Sequence, residues 1–173
     1  MTPLVRTTWA PRGKTPFLLH SFVKDKMSAI SAVTASPHFY IKTYRVRGID
    51  SHKIISFLKH LSRHIKNKIF IVWDNGPAHR SRLVRDFIWK HRKKFKVFPL
   101  PGYAPELNAD EGPWAYLKWH ELNGFAAKNL DELEQRIRKG SKRIQGRKKL
   151  IKSFLDRTPL DFDDLSIKLC RNH

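Results

Sequence analysis

Apolar residues recur along this chain with two different periods, and the places where the period changes mark its elements. Apolar and small residues run together from Phe17 to Val23 and from Met27 to Thr34, on either side of the charged turn Lys24-Asp25-Lys26, which predicts a β-hairpin. After Ser36-Pro37, the large side chains of Phe39, Ile41, Tyr44 and Val46 are interleaved with polar ones as far as Gly48, predicting a third strand. The period then lengthens. Ile54, Ile55, Phe57, Leu58, Leu61 and Ile65 share one face of a helix that Asp50 or Ser51 can cap and that extends to about Lys66. Ile69 to Trp73 holds no polar residue, as in a strand covered on both faces, and stops at Asp74-Asn75-Gly76-Pro77. Leu83, Val84, Phe87 and Ile88 predict a helix within Ala78 to His91, followed by a short strand from Phe95 to Phe98 and a turn from Pro99 to Tyr103. Beyond Asn108 the spacing is helical, with Trp114, Leu117, Leu130, Leu133, Ile137 and Ile144 turned toward a core and a break at Gly124. The predicted order is β-β-β-α-β-α-β-α behind a loop-like, proline-bearing entry over residues 1–16.

Composition narrows the picture. Of 173 residues, 40% are hydrophobic, with 11 Phe and 5 Trp, enough apolar material for one core, so we expect a single domain over 1–173 with a basic helical part from about residue 128. Lys and Arg number 35 against 15 Asp and Glu, a net charge of +20, which concentrates polyanions around the protein and makes nucleic acid the expected partner. Charge alone would serve a ribosomal-type binding protein equally well. The lone cysteine, Cys170, excludes an internal disulfide and a Cys-rich zinc site and fits a reducing compartment. No apolar run approaches a membrane span or a signal-peptide core, so a cytoplasmic protein without a membrane partner is expected.

Carboxylates stand out in so basic a chain. Asp74 closes the apolar strand, at the sheet edge where ligands collect in α/β folds, although Asp-Asn-Gly-Pro by itself also reads as a polar turn leading into a helix. Asp110 and Glu111 follow the rigid connection Leu100 to Asn108 and open a helix. Glu111 lies three residues before Trp114 and is expected to face inward, where a carboxylate is costly unless paired or metal-bound. The plainer reading is that both complement the positive end of the helix. Hard oxygen ligands of this kind hold Mg²⁺ or Mn²⁺, and two such ions roughly 4 Å apart can activate a water or 3′-hydroxyl toward a phosphodiester. His60 and His64 stand one helical turn apart but on a basic face, which reads as solvated. Arg136, Lys139, Lys142, Arg143, Lys148 and Lys149 crowd a C-terminal stretch that could follow a DNA backbone or simply be solvated; Trp114 reads as core, and Trp119 fits either core or base stacking.

Two segments carry a family resemblance. Ile71-Val-Trp-Asp-Asn-Gly-Pro-Ala-His79, followed by Leu100-Pro-Gly-Tyr-Ala-Pro-Glu-Leu-Asn-Ala-Asp-Glu-Gly-Pro-Trp114, resembles the D-N-x-x-x-H and L-P-x-Y-S-P-x-L-N-P-x-E-x-x-W signatures of mariner-like and bacterial insertion-sequence transposases of the DDE type. The resemblance covers roughly residues 1 to 145. It implies an RNase H-like α/β fold, a mixed sheet flanked by helices. It also implies metal-dependent DNA strand cleavage and transfer with Mg²⁺ or Mn²⁺, two ions in the complete enzyme and no small-molecule cofactor. Asp74 matches the second metal-binding carboxylate and Glu111 the third, while Asn75, His79 and Asn108 match neighbours that support the site. The implied partners are transposon-end and target DNA, with a homodimer on the DNA, in the bacterial cytosol. Two positions depart from the pattern, Ala104 for Ser and Ala109 for Pro, and neither supplies a metal ligand. The family's first aspartate, on the first strand, falls before Met1, as does its helix-turn-helix region. The expectation is therefore a catalytic domain cut short at its N-terminus, with the first strand missing. The alternative is an inactive transposase remnant that binds DNA non-specifically.

Overall fold

The computed structural model describes residues 9–14, 26–102 and 104–162; the predicted strand Phe17 to Val23, Tyr103 and Cys170 lie outside them. β1 (Ser28–Thr34) and β2 (His38–Tyr44) pair antiparallel, from Ser28 opposite Tyr44 to Thr34 opposite His38. The tight connection between them is held by the Thr34 hydroxyl, which accepts from the His38 N–H at 3.2 Å. β3 (Ile69–Trp73) and β4 (Phe95–Pro99) pair in parallel, Ile69 opposite Phe95 and Trp73 opposite Pro99. Joining parallel neighbours requires a crossover, which α2 (Arg82–Lys90) supplies.

Helix ends follow from their caps. α1 (Ser51–His64) starts where the Asp50 carboxylate accepts from the Lys53 N–H at 2.9 Å, and it ends two residues short of the expected Lys66. α2 begins at Arg82, later than the apolar spacing suggested, because Ser81 caps it and residues 77–80 form a turn. α3 (Glu111–Tyr116), a π-helical turn (Leu117–Glu121), α4 (Leu130–Gln145) and α5 (Lys148–Leu155) complete the described chain. Between the π turn and α4, Gly124 takes a φ of 66°, a left-handed backbone that suits glycine, at the predicted break.

Alternation along β1 and β2 divides the molecule into two faces. Ile30, Ala32 and Tyr40 pack on one side against Ile54, Phe57, Leu58 and Leu61 of α1, with Val84 of α2 and Phe95 of β4 in the same core. Val33, Phe39 and Ile41 point the other way, onto Leu117, Ile144, Ile151 and Phe154. Helices thus cover both faces of the strand pair, and Ser31, in phase with Val33, shares the α3–α5 side. α5 lies in the stretch expected only to be basic, and its Ile151, Phe154 and Leu155 are buried.

The π turn shapes that second core. Glu121 closes that turn on the same face as the buried Leu117, four residues earlier, and only 2% of it is exposed. Both Glu121 carboxylate oxygens accept from Arg143 at 2.7 Å, and its carbonyl accepts from Arg136 Nε at 2.8 Å. α4 can come so close because residue 140 is glycine: a Cβ there would lie 2.6 Å from Glu121 Cγ and 2.8 Å from a Leu117 methyl. Gly140→Ala should therefore lower the unfolding free energy measured in urea by about 1–3 kcal/mol through overpacking. Gly102→Ala, where a Cβ meets nothing within 4 Å, should leave it unchanged.

Candidate functional site

A groove of about 860 Å³ runs between β1 and β3, and Asp74, His79, Asp110, Glu111 and Trp114 line it. Its presence explains a departure from expectation. β3 was predicted to be covered on both faces, yet only Ile69 is buried and Phe70 through Trp73 are half-buried, because that strand forms one wall of the groove.

Asp74 sits where β3 ends. Its backbone turns sharply, so that the Gly76 N–H donates back to Oδ1 at 2.9 Å, an Asx turn. His79, on the turn before α2, donates from Nδ1 to the same oxygen at 2.7 Å. The imidazole is fixed by stacking on Trp73, ring centroids 4.4 Å apart and planes within 10°. Partial burial pushes the Asp74 carboxyl up, but the Gly76 N–H and the His79 ring outweigh it and hold it below the usual carboxylate range. The result is an ionised carboxylate whose side chain is 63% exposed, on a rigid mount. Asn75 secures the mount from below: its Nδ2 donates to the Leu100 carbonyl at 3.0 Å, tying the end of β3 to the chain just past β4.

The second motif is built by Asn108. After the 3₁₀ turn Pro105–Leu107, its side-chain oxygen accepts from the Asp110 N–H at 3.2 Å and its carbonyl from the Glu111 N–H at 3.1 Å, which starts α3. Here the structure corrects the sequence reading. Glu111 is exposed on the first turn of α3, and the carboxylate that turns inward is Asp110. Asp110 Oδ2 accepts from Ser31 Oγ at 2.5 Å and from Trp114 Nε1 at 3.1 Å, while Oδ1 is enclosed without a hydrogen-bond partner. Residue spacing alone missed this, because a six-residue helix preceded by a tight turn does not present position 111 on the face that position 114 buries. Burial, only partly offset by those two donors, pushes the Asp110 carboxyl up to about 6.

Of the other residues singled out from sequence, Arg136 and Arg143 are engaged by Glu121, whereas Lys139, Lys142, Lys148 and Lys149 are exposed. His64 is exposed as expected, while His60 is half-buried, in ring contact with Tyr40 and Phe57. Trp114 borders the second core and Trp119 is 48% exposed. Among the described residues, no three His, Cys, Asp or Glu side chains converge as a metal-binding group. The donors present are still of the right chemistry for a hard divalent cation, which can be held by one or two carboxylates and completed by water and phosphate oxygens.

Strands in this order, helices on both faces and carboxylates at a strand end and a helix start define an RNase H-like nuclease-type domain. Residues 2–134 match the family model of the DDE superfamily endonucleases, and the chain belongs to that family. Solved structures of the Mos1 mariner transposase share its fold. The paired-end complex with Mg matches at 17% identity and a TM-score of 0.65, covering 90% of this chain and 49% of that one. The paired-end complex with Mn matches at 15% and 0.59, covering 88% and 52%. The strand transfer complex matches at 16% and 0.58, covering 88% and 51%. This chain thus spans about half the length of the transposase chains it matches. No curated protein matches it in sequence.

Asp110 makes stability depend on pH with a definite sign. Its folded pKa, about 6, lies above the ordinary aspartate value of 3.8, so between these limits the folded state binds more protons and stability falls as pH rises. The fall can reach roughly 3 kcal/mol at 1.36 kcal/mol per unit. Urea unfolding in the presence of chelator should show Asp110→Asn gaining stability relative to wild type from pH 4 to pH 7, with no further gain above pH 7.

Proposed function

We propose that this chain is the catalytic-domain part of a cut-and-paste DNA transposase, cleaving and rejoining DNA strands with divalent metal. The observation that carries the reading is the meeting of Asp74 and Glu111, from two separate motifs, on one groove of a protein of charge +20. Mg²⁺ or Mn²⁺, when bound, would supply Lewis acidity at the scissile phosphate. Asp74 and Glu111 would hold it. The Gly76 N–H and His79 keep Asp74 ionised and aimed, and Asn75 and Asn108 fix the two chain segments that present the carboxylates. Hydrogen-bonded support of this kind is what holds a metal ligand in its productive orientation.

The exposed Lys139, Lys142, Lys148 and Lys149 would contact phosphates by counterion release. Transposon-end and target DNA are the proposed partners, with a homodimer on the DNA and a cytoplasmic location. The solved relatives support the DNA reading, since they are paired-end and strand transfer complexes of a transposase. The alternative is DNA binding without cleavage; the family match and the strand transfer relative support cleavage over it.

Two measurements decide between these readings. Supercoiled plasmid incubated with the protein and Mn²⁺ should be nicked, and Asp74→Asn or Glu111→Gln should each reduce the rate more than about 100-fold, beyond the 10–100-fold typical of a lost outer-shell partner. Wild-type nicking that persists in both variants would sink the assignment, and no nicking with any metal would leave the binding reading. Affinity for random duplex DNA should fall at least about tenfold between roughly 50 and 200 mM salt, as binding through several phosphate contacts requires. The quadruple change of Lys139, Lys142, Lys148 and Lys149 to Gln should flatten that dependence.

A further inference from the structure

Asp110 occupies a position that the transposase signature leaves open, yet it is the most constrained carboxylate at the groove. We infer that Asp110 is a positioning residue, a clamp that fixes the first turn of α3, and with it Glu111, against the middle of β1.

α3 needs such a device. It has six residues, two of them Gly112 and Pro113, and its N-cap residue makes no side-chain cap hydrogen bond. A helix this short has no stability of its own and takes its orientation from what it touches. One side of it is settled by packing: Pro113 and Leu117 are buried, and a Cβ on Gly112 would lie 2.6 Å from the Phe154 ring. The near end, which carries Glu111, meets β1 through a different kind of contact. Ser31 Oγ donates to Asp110 Oδ2 from the centre of the strand, and Trp114 Nε1 donates to the same oxygen from one turn further along α3. One oxygen therefore ties strand to helix.

Burial argues that this tie is specific. A carboxylate serving only the helix dipole does so from solvent, as Glu111 can, whereas enclosing Asp110 Oδ1 without a partner is costly. Displacing a reactive group by about 1 Å can reduce a rate roughly 100-fold, so the register of Glu111 is worth holding. The consequence for metal binding rests on the proposed role of Glu111; the clamp itself does not.

The test uses the whole chain and three variants, Ser31→Ala, Asp110→Ala and Asp110→Asn, with circular dichroism to confirm folding. Ser31→Ala is the mild one that should fold in any case. Two quantities are read: exchange of the Trp114 indole proton by NMR, and Mn²⁺ affinity by electron paramagnetic resonance. Trp114 should exchange at least about tenfold more slowly than the exposed Trp89, as loss of a hydrogen bond to a charged group implies. Asp110→Ala should bring it to the Trp89 rate, and Ser31→Ala should move it in the same direction. Both should weaken Mn²⁺ binding by about tenfold or more, while Asp110→Asn, which keeps an acceptor oxygen, should stay within about threefold of wild type on both readouts. Trp114 exchange as fast as Trp89 in wild type, or unchanged in Asp110→Ala, overturns the clamp. Loss of Mn²⁺ binding in Asp74→Asn but not in Asp110→Ala overturns its positioning role. Should Asp74→Asn and Glu111→Gln also leave Mn²⁺ affinity unchanged, the metal reading fails, and indole exchange alone decides the clamp.

Discussion

The hydrogen bond from Ser31 to Asp110 is where the antiparallel strand pair meets the helix that opens at Glu111. Much of the described structure converges on that junction. Alternation along β1 points Ser31 toward the α3–α5 side, and Asn108 ends the 3₁₀ turn at the residue where α3 can start. Gly112 lets α5 press close behind it. On the other wall of the groove, Asp74 is fixed by its own turn, by His79 and by Trp73 beneath the imidazole. Two carboxylates are thus presented by chain segments that are themselves hydrogen-bonded in place.

The three carboxylates of the groove are treated differently by their surroundings. Asp74 receives donors while remaining accessible, so it stays charged. Glu111 is exposed on the first turn of a helix. Asp110 is enclosed and its proton is held more tightly. Accessible charged oxygens suit a cation; an enclosed one suits a joint between elements. The same division holds at the C-terminal side, where Arg143 neutralises a buried glutamate while nearby lysines remain in solvent. A positive residue in a basic stretch is therefore not automatically a phosphate contact.

Much of this was legible in the residues. The apolar spacing located β1, β2, α1, β3 and β4 to within a few positions, because each has a strong period or an unbroken apolar run bounded by turn residues. Asp50 as a helix cap, Gly124 as a break and Asp74 at a strand end could be read directly. The inward carboxylate was assigned to Glu111 instead of Asp110, since helical spacing was extended through a turn that belongs to Asn108. Nor could spacing reveal the groove beside β3, the His79 link to Asp74 or the Arg143 that meets Glu121, each of which depends on which segments lie together. α5 was hidden because its apolar face is short and diluted by lysines.

The π turn at Leu117–Glu121 has a consequence of another kind. A π turn is most often a single bulge inside a longer helix. Here it closes the helix that α3 opens, with the Leu122 N–H bonded to the Leu117 carbonyl, and it closes on the buried Glu121. The inner face of that helix therefore ends in a negative charge, and α4 answers it with Arg143 from 22 residues away. Removing the arginine alone would strand a carboxylate in the interior, so two segments distant in sequence are bound to change together.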